Sequence, residues 1–234
     1  MTYTKPLLLV AATLAFGVAP FITPPFTGYD PAMFPVQIAR PSIQPAGYAF
    51  SIWSVIYLWL FVHAGFGLWK RAHDTAWDAV RWPLMLAVII GAAWLAIAGS
   101  LPVTATVTIW VMLGAALLAF LRADPVQDRW LLSAPTAIFA GWLSAAAAVS
   151  LGVVLAGYGW LSDTASAALM LAVVLCIALR VQTLRPRMPV YGLTVIWALI
   201  GVVVANGTAN LTVAVLATIG GLIMAATMWR LRHS

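Results

Sequence analysis

Positively charged residues occur in every second gap between the long apolar segments of this 234-residue chain. Of its 12 Lys and Arg residues, only Arg40 breaks this alternation. The others are Lys5, Lys70, Arg71, Arg81, Arg122, Arg129, Arg180, Arg185, Arg187, Arg230 and Arg232. Because short loops rich in Lys and Arg stay cytoplasmic, the pattern predicts a multi-pass membrane protein with both termini in the cytoplasm.

Composition excludes the soluble classes of protein. The chain is 64% hydrophobic and 8% charged, whereas charged residues make up about 25% of a typical soluble domain. Its net charge of +6 falls in loops that would face anionic lipid headgroups. We therefore expect the lipid bilayer as a partner, no nucleic acid, and a location in an inner (plasma) membrane of the bacterial type.

Eight segments approach the roughly 20 apolar residues that a helix needs to cross a bilayer. Because the chain begins at Met1, we interpret the first as an uncleaved helix and not as a signal peptide. The predicted fold is all-α, with eight transmembrane helices. Their expected ranges are Lys5–Thr23, Gly47–Trp69, Val80–Gly99, Pro102–Leu121, Trp130–Ala156, Thr164–Val181, Val190–Ala205 and Leu211–Arg230.

The connection from Pro24 to Pro45 differs from the other loops because it contains six prolines and several aromatic residues. So many prolines rule out a long helix, and the aromatic residues argue against a fully solvated linker. Two interpretations remain open: a structured lid over the bundle, or a mobile outer loop.

The distribution of reactive side chains argues against an enzyme. The chain has no Glu, and its six Asp residues all fall between the predicted helices, so no intramembrane acid could orient a His base or couple transport to an ion. One His within a span and one Cys cannot form a closed zinc site. We expect no catalytic residue and no metal site.

Tryptophans near predicted helix ends are typical of membrane-interface anchors. Six residues belong to this group: Trp69, Trp77, Trp82, Trp130, Trp160 and Trp229. Inside the second segment, Phe50, Trp53 and Tyr57 share one helical face. This aromatic stripe could pack against neighbouring helices, or form one wall of a pocket for a flat apolar ligand.

His63 lies in the same segment, about 80° around the helix from Trp53 at 3.6 residues per turn, so it could border the stripe. An intramembrane His is a candidate functional residue. It could be hydrogen-bonded within the bundle, or it could bind the metal of a tetrapyrrole through a ring nitrogen.

The run PAGYAFSIWSVIY, from Pro45 to Tyr57, resembles the second-helix signature of the tryptophan-rich sensory protein family (TspO, or translocator protein). Trp94 is similar to the Trp of that family's third helix, and Pro135, Phe139 and Trp142 are similar to residues of its fifth. The resemblance covers roughly residues 6–156. The chain departs from the family pattern at Gly91, where the family has Asn, and near Ala147, where its Leu-Asn pair is absent.

The resemblance implies a TspO-like five-helix region over residues 1–156 and a three-helix extension over 157–234 in the same membrane domain. It implies a binding or sensor protein, not an enzyme, for a planar apolar ligand such as a porphyrin, sterol or carotenoid. The cofactor is unknown, a tetrapyrrole being one candidate. The expected ligand-binding residues are Tyr48, Phe50, Trp53, Tyr57, His63, Trp94, Phe139 and Trp142.

Two other functions remain open. The aromatic cavity could open alternately to either side, as in a small-molecule transporter or facilitator. The aromatic surface could instead face a protein, as in an accessory or assembly subunit of a membrane pigment complex. A second copy of the chain is a further candidate partner.

Overall fold

The computed structural model describes residues 3–24 and 26–233, and long helices dominate this part of the chain. All eight are long and apolar enough to cross a membrane, which confirms the predicted all-α transmembrane fold. The helices are α1 (Thr4–Ile22), α2 (Ile52–Lys70), α3 (Thr75–Ala98), α4 (Pro102–Arg122), α5 (Ser133–Gly157), α6 (Asp163–Leu184), α7 (Pro189–Asn206) and α8 (Leu211–His233).

Local chemistry explains where three of the helices begin. Pro102 and Pro189 begin α4 and α7, a position at which the missing N–H of proline costs nothing. The Asp74 side chain accepts hydrogen bonds from the backbone of Ala76 and Trp77. This cap starts α3 at Thr75, five residues before the predicted start at Val80.

Helix α5 forms the centre of the bundle, since 20 of its 25 residues are buried. It packs against α4 and α2 on one side and against α6 and α7 on the other. The helices α5 and α7 approach closely at Gly141, where a Cβ atom would lie 2.8 Å from the carbonyl oxygen of Tyr191. Only glycine allows the two backbones to come this close.

The half of the bundle near the Lys- and Arg-rich loops, which we call the basic end, is tightly filled. Phe120 of α4 and Tyr191 of α7 stack with their ring centroids 5.6 Å apart, and both side chains are fully buried. The Tyr191 hydroxyl lies 2.9 Å from the hydroxyl oxygen of Ser144 on α5. The Ser144 hydroxyl itself donates its proton to Ala140 O. Tyr191 is therefore the donor in this pair.

Charged side chains join several elements at the basic end. Arg71, after α2, forms an ion pair of 2.7 Å with Asp128 of the α4–α5 loop. Lys5 of α1 and Arg81 of α3 both pair with Asp78, at 2.7 and 3.1 Å. These bonds connect α1, α2, α3 and the α4–α5 loop on one side of the membrane.

Trp77 corrects one prediction from the sequence. It was expected to be an interface anchor, but its side chain is only 1% exposed, and its indole N–H donates to Asp128 over 2.9 Å. The earlier start of α3 moves Trp77 into the helix and onto its buried face. The other five predicted anchors remain more than half exposed: Trp69, Trp82, Trp130, Trp160 and Trp229.

Asp128→Ala is expected to lower the melting temperature by about 3 to 6 °C, because Arg71 and the Trp77 indole lose their shared acceptor. The hydrogen bond from Arg71 lowers the pKa of Asp128. A carboxyl with a lowered folded-state pKa stabilises the fold above its ordinary pKa of about 4, and this contribution is lost as the pH falls through the folded value. The difference between wild type and variant should therefore decrease as the pH falls below about 4.

Thermal unfolding from pH 3 to pH 7 checks this expectation. Asp124→Ala is the matched control, because the Asp124 carboxylate accepts bonds from the backbone of Val126 and Gln127 within its own loop. Equal shifts in the two variants would contradict a role for Asp128 in joining the helices.

Candidate ligand-binding site

A cavity of about 230 Å³ lies in the half of the bundle opposite the basic end. Seven of the eight helices supply residues to its wall, and α8 supplies none among the residues described. None of the described residues that line it is charged. The wall therefore offers mainly apolar contacts.

The aromatic stripe of the second segment forms one side of this cavity. Phe50 lies in a short 3₁₀ helix (Gly47–Ser51) that leads into α2, and the rings of Trp53 and Tyr57 stack with centroids 5.5 Å apart. Trp142 of α5 meets Phe50 edge-on at 5.8 Å. The stripe therefore faces the interior of the bundle.

Five of the eight residues expected to bind a ligand line the cavity: Phe50, Trp53, Tyr57, Trp94 and Trp142. The other three do not. Phe139 is fully buried behind the wall, 5.6 Å from Phe16 and 6.4 Å from Trp53 between ring centroids. Tyr48 points away from the cavity, is 44% exposed and packs edge-on against Trp197.

His63 is also outside the cavity, which corrects the expectation that it borders the stripe. Its ring is buried near the basic end, stacked 4.8 Å from Trp77. Its Nδ1 lies 2.8 Å from the carbonyl oxygen of Leu131. Because a carbonyl only accepts, Nδ1 carries the proton, and the ring ties α2 to the loop before α5.

Three hydroxyl groups form an ordered chain beside the cavity. Thr106 donates to Pro102 O over 2.9 Å, and Ser150 and Tyr29 follow at successive distances of 2.7 Å. Since the Thr106 proton is already used, Ser150 donates to Thr106 and Tyr29 donates to Ser150. Burial raises the pKa of the Tyr29 phenol, which keeps its proton in place.

Two tryptophans on the wall differ in how their indole N–H groups are satisfied. Trp94 donates to Ala105 O over 2.8 Å. The N–H of Trp142 is buried without an acceptor among the residues described, which costs free energy in an apolar environment. A neutral acceptor on an occupant would relieve that cost.

The loop of residues 24–45, which we call the lid, lies over the cavity; residue 25 falls outside the described residues. Besides the Tyr29 bond, Val36 N donates to Gly157 O over 2.9 Å. Gly28 has a φ of 133°, a conformation that favours glycine. It lets the two arms of the lid approach at Gln44, whose side chain donates to Thr27 O over 2.8 Å.

Ser42 is the most heavily bonded residue of the lid. Its backbone N–H lies 3.0 and 3.3 Å from the two carboxylate oxygens of Asp163, and its hydroxyl also donates to that carboxylate. Asn206 donates to Ser42 O over 2.7 Å, and Asn210 donates to Ser42 Oγ over 3.0 Å. The C-terminal helices thus hold one side of the lid.

The small residues of α5 form a part of the site that sequence analysis missed. Ala145, Ala146 and Ala148 all line the cavity, whereas a run of alanines in a membrane helix is usually a packing surface. Phe16 and Gly91 were missed as well; a Cβ on Gly91 would lie 2.4 Å from the Phe16 ring. The signal that could have found them is the contact of a small residue, Gly91, with a bulky one, Phe16. A single sequence does not show which residues of different helices are in contact.

Fold and site together define a multi-pass integral membrane protein with an apolar cavity under a lid. A family model described as TSPO-like protein matches residues 8–229. The chain belongs to the TSPO-like protein family, and the match includes α6, α7 and most of α8. No curated protein and no solved structure matches the chain.

Proposed function

We propose that this protein binds a neutral apolar small molecule within the membrane, in the cavity beneath the lid. The observation that carries the proposal is the cavity itself, about 230 Å³ in volume with an uncharged wall of aromatic and aliphatic side chains. Burial of apolar surface would supply most of the affinity, at about 25 cal/mol per Å². Catalysis is not part of the proposal, because the wall presents no acid, base or charged group.

Charge and size favour a neutral ligand over a porphyrin, which is one of the ligands that the resemblance implies. Porphyrins carry carboxylates, and an unpaired carboxylate in this cavity would find no cation on the wall. The volume of about 230 Å³ also lies below the range of about 300 to 1,000 Å³ typical of drug-sized ligands. A neutral molecule of small volume agrees with both features.

Binding is favoured over transport because the cavity ends near the middle of the bundle. The lining residues nearest the basic end are Tyr57 on α2 and Trp142 on α5. Beyond them, the stacked Phe120 and Tyr191 fill the interior. We further propose that the basic end faces the cytoplasm of an inner-membrane protein, because Lys- and Arg-rich loops are retained there.

Trp53→Ala is expected to weaken ligand binding at least tenfold, since the indole stacks on Tyr57 in the centre of the aromatic side. Equilibrium binding of radiolabelled cholesterol, retinol and hexadecanol to the protein in phospholipid nanodiscs measures the effect, with empty nanodiscs as background. Trp82→Ala is the matched control, because Trp82 is 54% exposed on the outer face of α3. It should change affinity less than twofold.

The proposal fails if no probe binds saturably above the empty-nanodisc level. It also fails if Trp53→Ala and Trp82→Ala give the same affinity as the wild type, because the aromatic side would then be ordinary packing.

A further inference from the structure

The lining residues that α5 contributes indicate that the cavity wraps around this helix. Ala148, Val149 and Ser150 are consecutive, and all three line it. Successive residues of an α-helix point about 100° apart, so the cavity covers about 200° of the circumference of α5. With a helix diameter of about 10 Å, the corresponding arc is about 17 Å long.

The two ends of this arc have different chemistry. Beyond Ser150, the first lobe is formed by α1, α3, α4 and the lid, with the aromatic side chains of Phe16, Phe26 and Trp94. It contains the hydroxyls of Tyr29 and Ser150, whose oxygens keep lone pairs free to accept a hydrogen bond. Beyond Ala148, the second lobe lies against α6 and α7 and is purely aliphatic; its residues include Leu171, Val174, Val195, Ala198 and Leu199.

Volume and curvature together limit the shape of the occupant. About 230 Å³ distributed along an arc of about 17 Å around a helix leaves a narrow passage. A rigid flat ring system cannot follow such a curve, whereas a flexible hydrocarbon chain can. The small side chains of Ala145 and Ala148 create the room at the bend.

Resting on the proposed function, we infer that the ligand is an acyclic lipid with one flexible hydrocarbon chain and a small uncharged oxygen-bearing end. The chain curves around α5 and ends in the aliphatic second lobe. The polar end lies in the first lobe beside Tyr29 and Ser150. The helices α6 and α7 therefore set the length of chain that the site accepts.

The test measures how affinity depends on chain length. The full-length protein in detergent-free phospholipid nanodiscs is labelled with a diazirine-bearing hexadecanol, and unlabelled primary alcohols from octanol to octadecanol compete, each expressed as its mole fraction in the bilayer. The affinity of the competing alcohols should reach a maximum at one chain length. Alcohols with chains too long for the arc should compete at least tenfold less well than the alcohol of that length.

Two variants should move this optimum in opposite directions. Ala148→Leu fills the bend and should shorten the preferred chain by about three methylenes, the difference between the two side chains. Leu199→Ala enlarges the second lobe and should lengthen the preferred chain by a similar amount. Misfolding cannot produce opposite shifts. Ala225→Leu, at an exposed position on α8, is the control and should leave the optimum unchanged.

The inference is overturned, while the proposed function stands, if cholesterol competes saturably but the alcohols show no optimum length. It is also overturned if both variants shift the optimum in the same direction. If the probe and all competitors lack saturable binding, the proposed function itself is wrong.

Discussion

Gly141→Ala is expected to lower the free energy of unfolding by about 2 to 3 kcal/mol, the upper part of the range for overpacking a well-packed interior. The added Cβ would lie 2.8 Å from the carbonyl oxygen of Tyr191 and 2.9 Å from Thr194 Cβ. The nearest atom belongs to the backbone of α7, so no side-chain rotation relieves the clash. The whole of α7 must move away from α5.

Reversible unfolding in mixed micelles measures this loss. Gly114→Ala is the control, because a Cβ at Gly114 of α4 would meet no atom within 4 Å. Without a clash, alanine should be neutral or stabilise the helix by up to about 1 kcal/mol. Similar stabilities for the two variants would show that α5 and α7 are further apart than described.

Asp163→Ala is expected to release the lid and to raise the amide exchange rate of Ser42 by about a hundredfold. The carboxylate accepts from both the backbone N–H and the hydroxyl of Ser42, and Ser42 is only 8% exposed. Two hydrogen bonds to a charged group, at about 1.5 kcal/mol each, correspond to roughly a hundredfold change in the opening equilibrium. Dissociation of a bound ligand should accelerate by a similar factor.

Hydrogen exchange measured by mass spectrometry across residues 35–46 checks this result. Asp30→Ala is the matched control in the same loop, because the Asp30 side chain accepts from Ala32 N within the lid. Unchanged exchange in Asp163→Ala would mean that the remaining bonds, from Asn206 and Asn210, are sufficient to hold the lid.

The aromatic stripe and the lid differ in how much of their structure the sequence could predict. Helical period alone gives the common face of Phe50, Trp53 and Tyr57, and the structure directs that face into the cavity. The prolines of the lid exclude a long helix, but they do not identify Asp163 as the partner of Ser42, 121 residues away. Pairing across such a separation depends on how α6 packs against α5.

His63 and Trp77 show the limit of arguments based on position along a single helix. The distance of Trp77 from the predicted helix end suggested an exposed anchor, and the angle of His63 suggested a place beside the stripe. In the structure the two rings stack with centroids 4.8 Å apart. The cap by Asp74 lengthened α3, and the α4–α5 loop supplied acceptors for both side chains.

By itself, the sequence determined the class of protein and its division into eight spans, because hydrophobic length and the placement of Lys and Arg act on each segment separately. It also determined which face of the second segment is aromatic. Only the tertiary structure decided that three consecutive residues of α5 border one cavity, and that α6 and α7 supply part of its wall. Cavities are the space that packed helices fail to fill, so they depend on all neighbours at once and on no single segment.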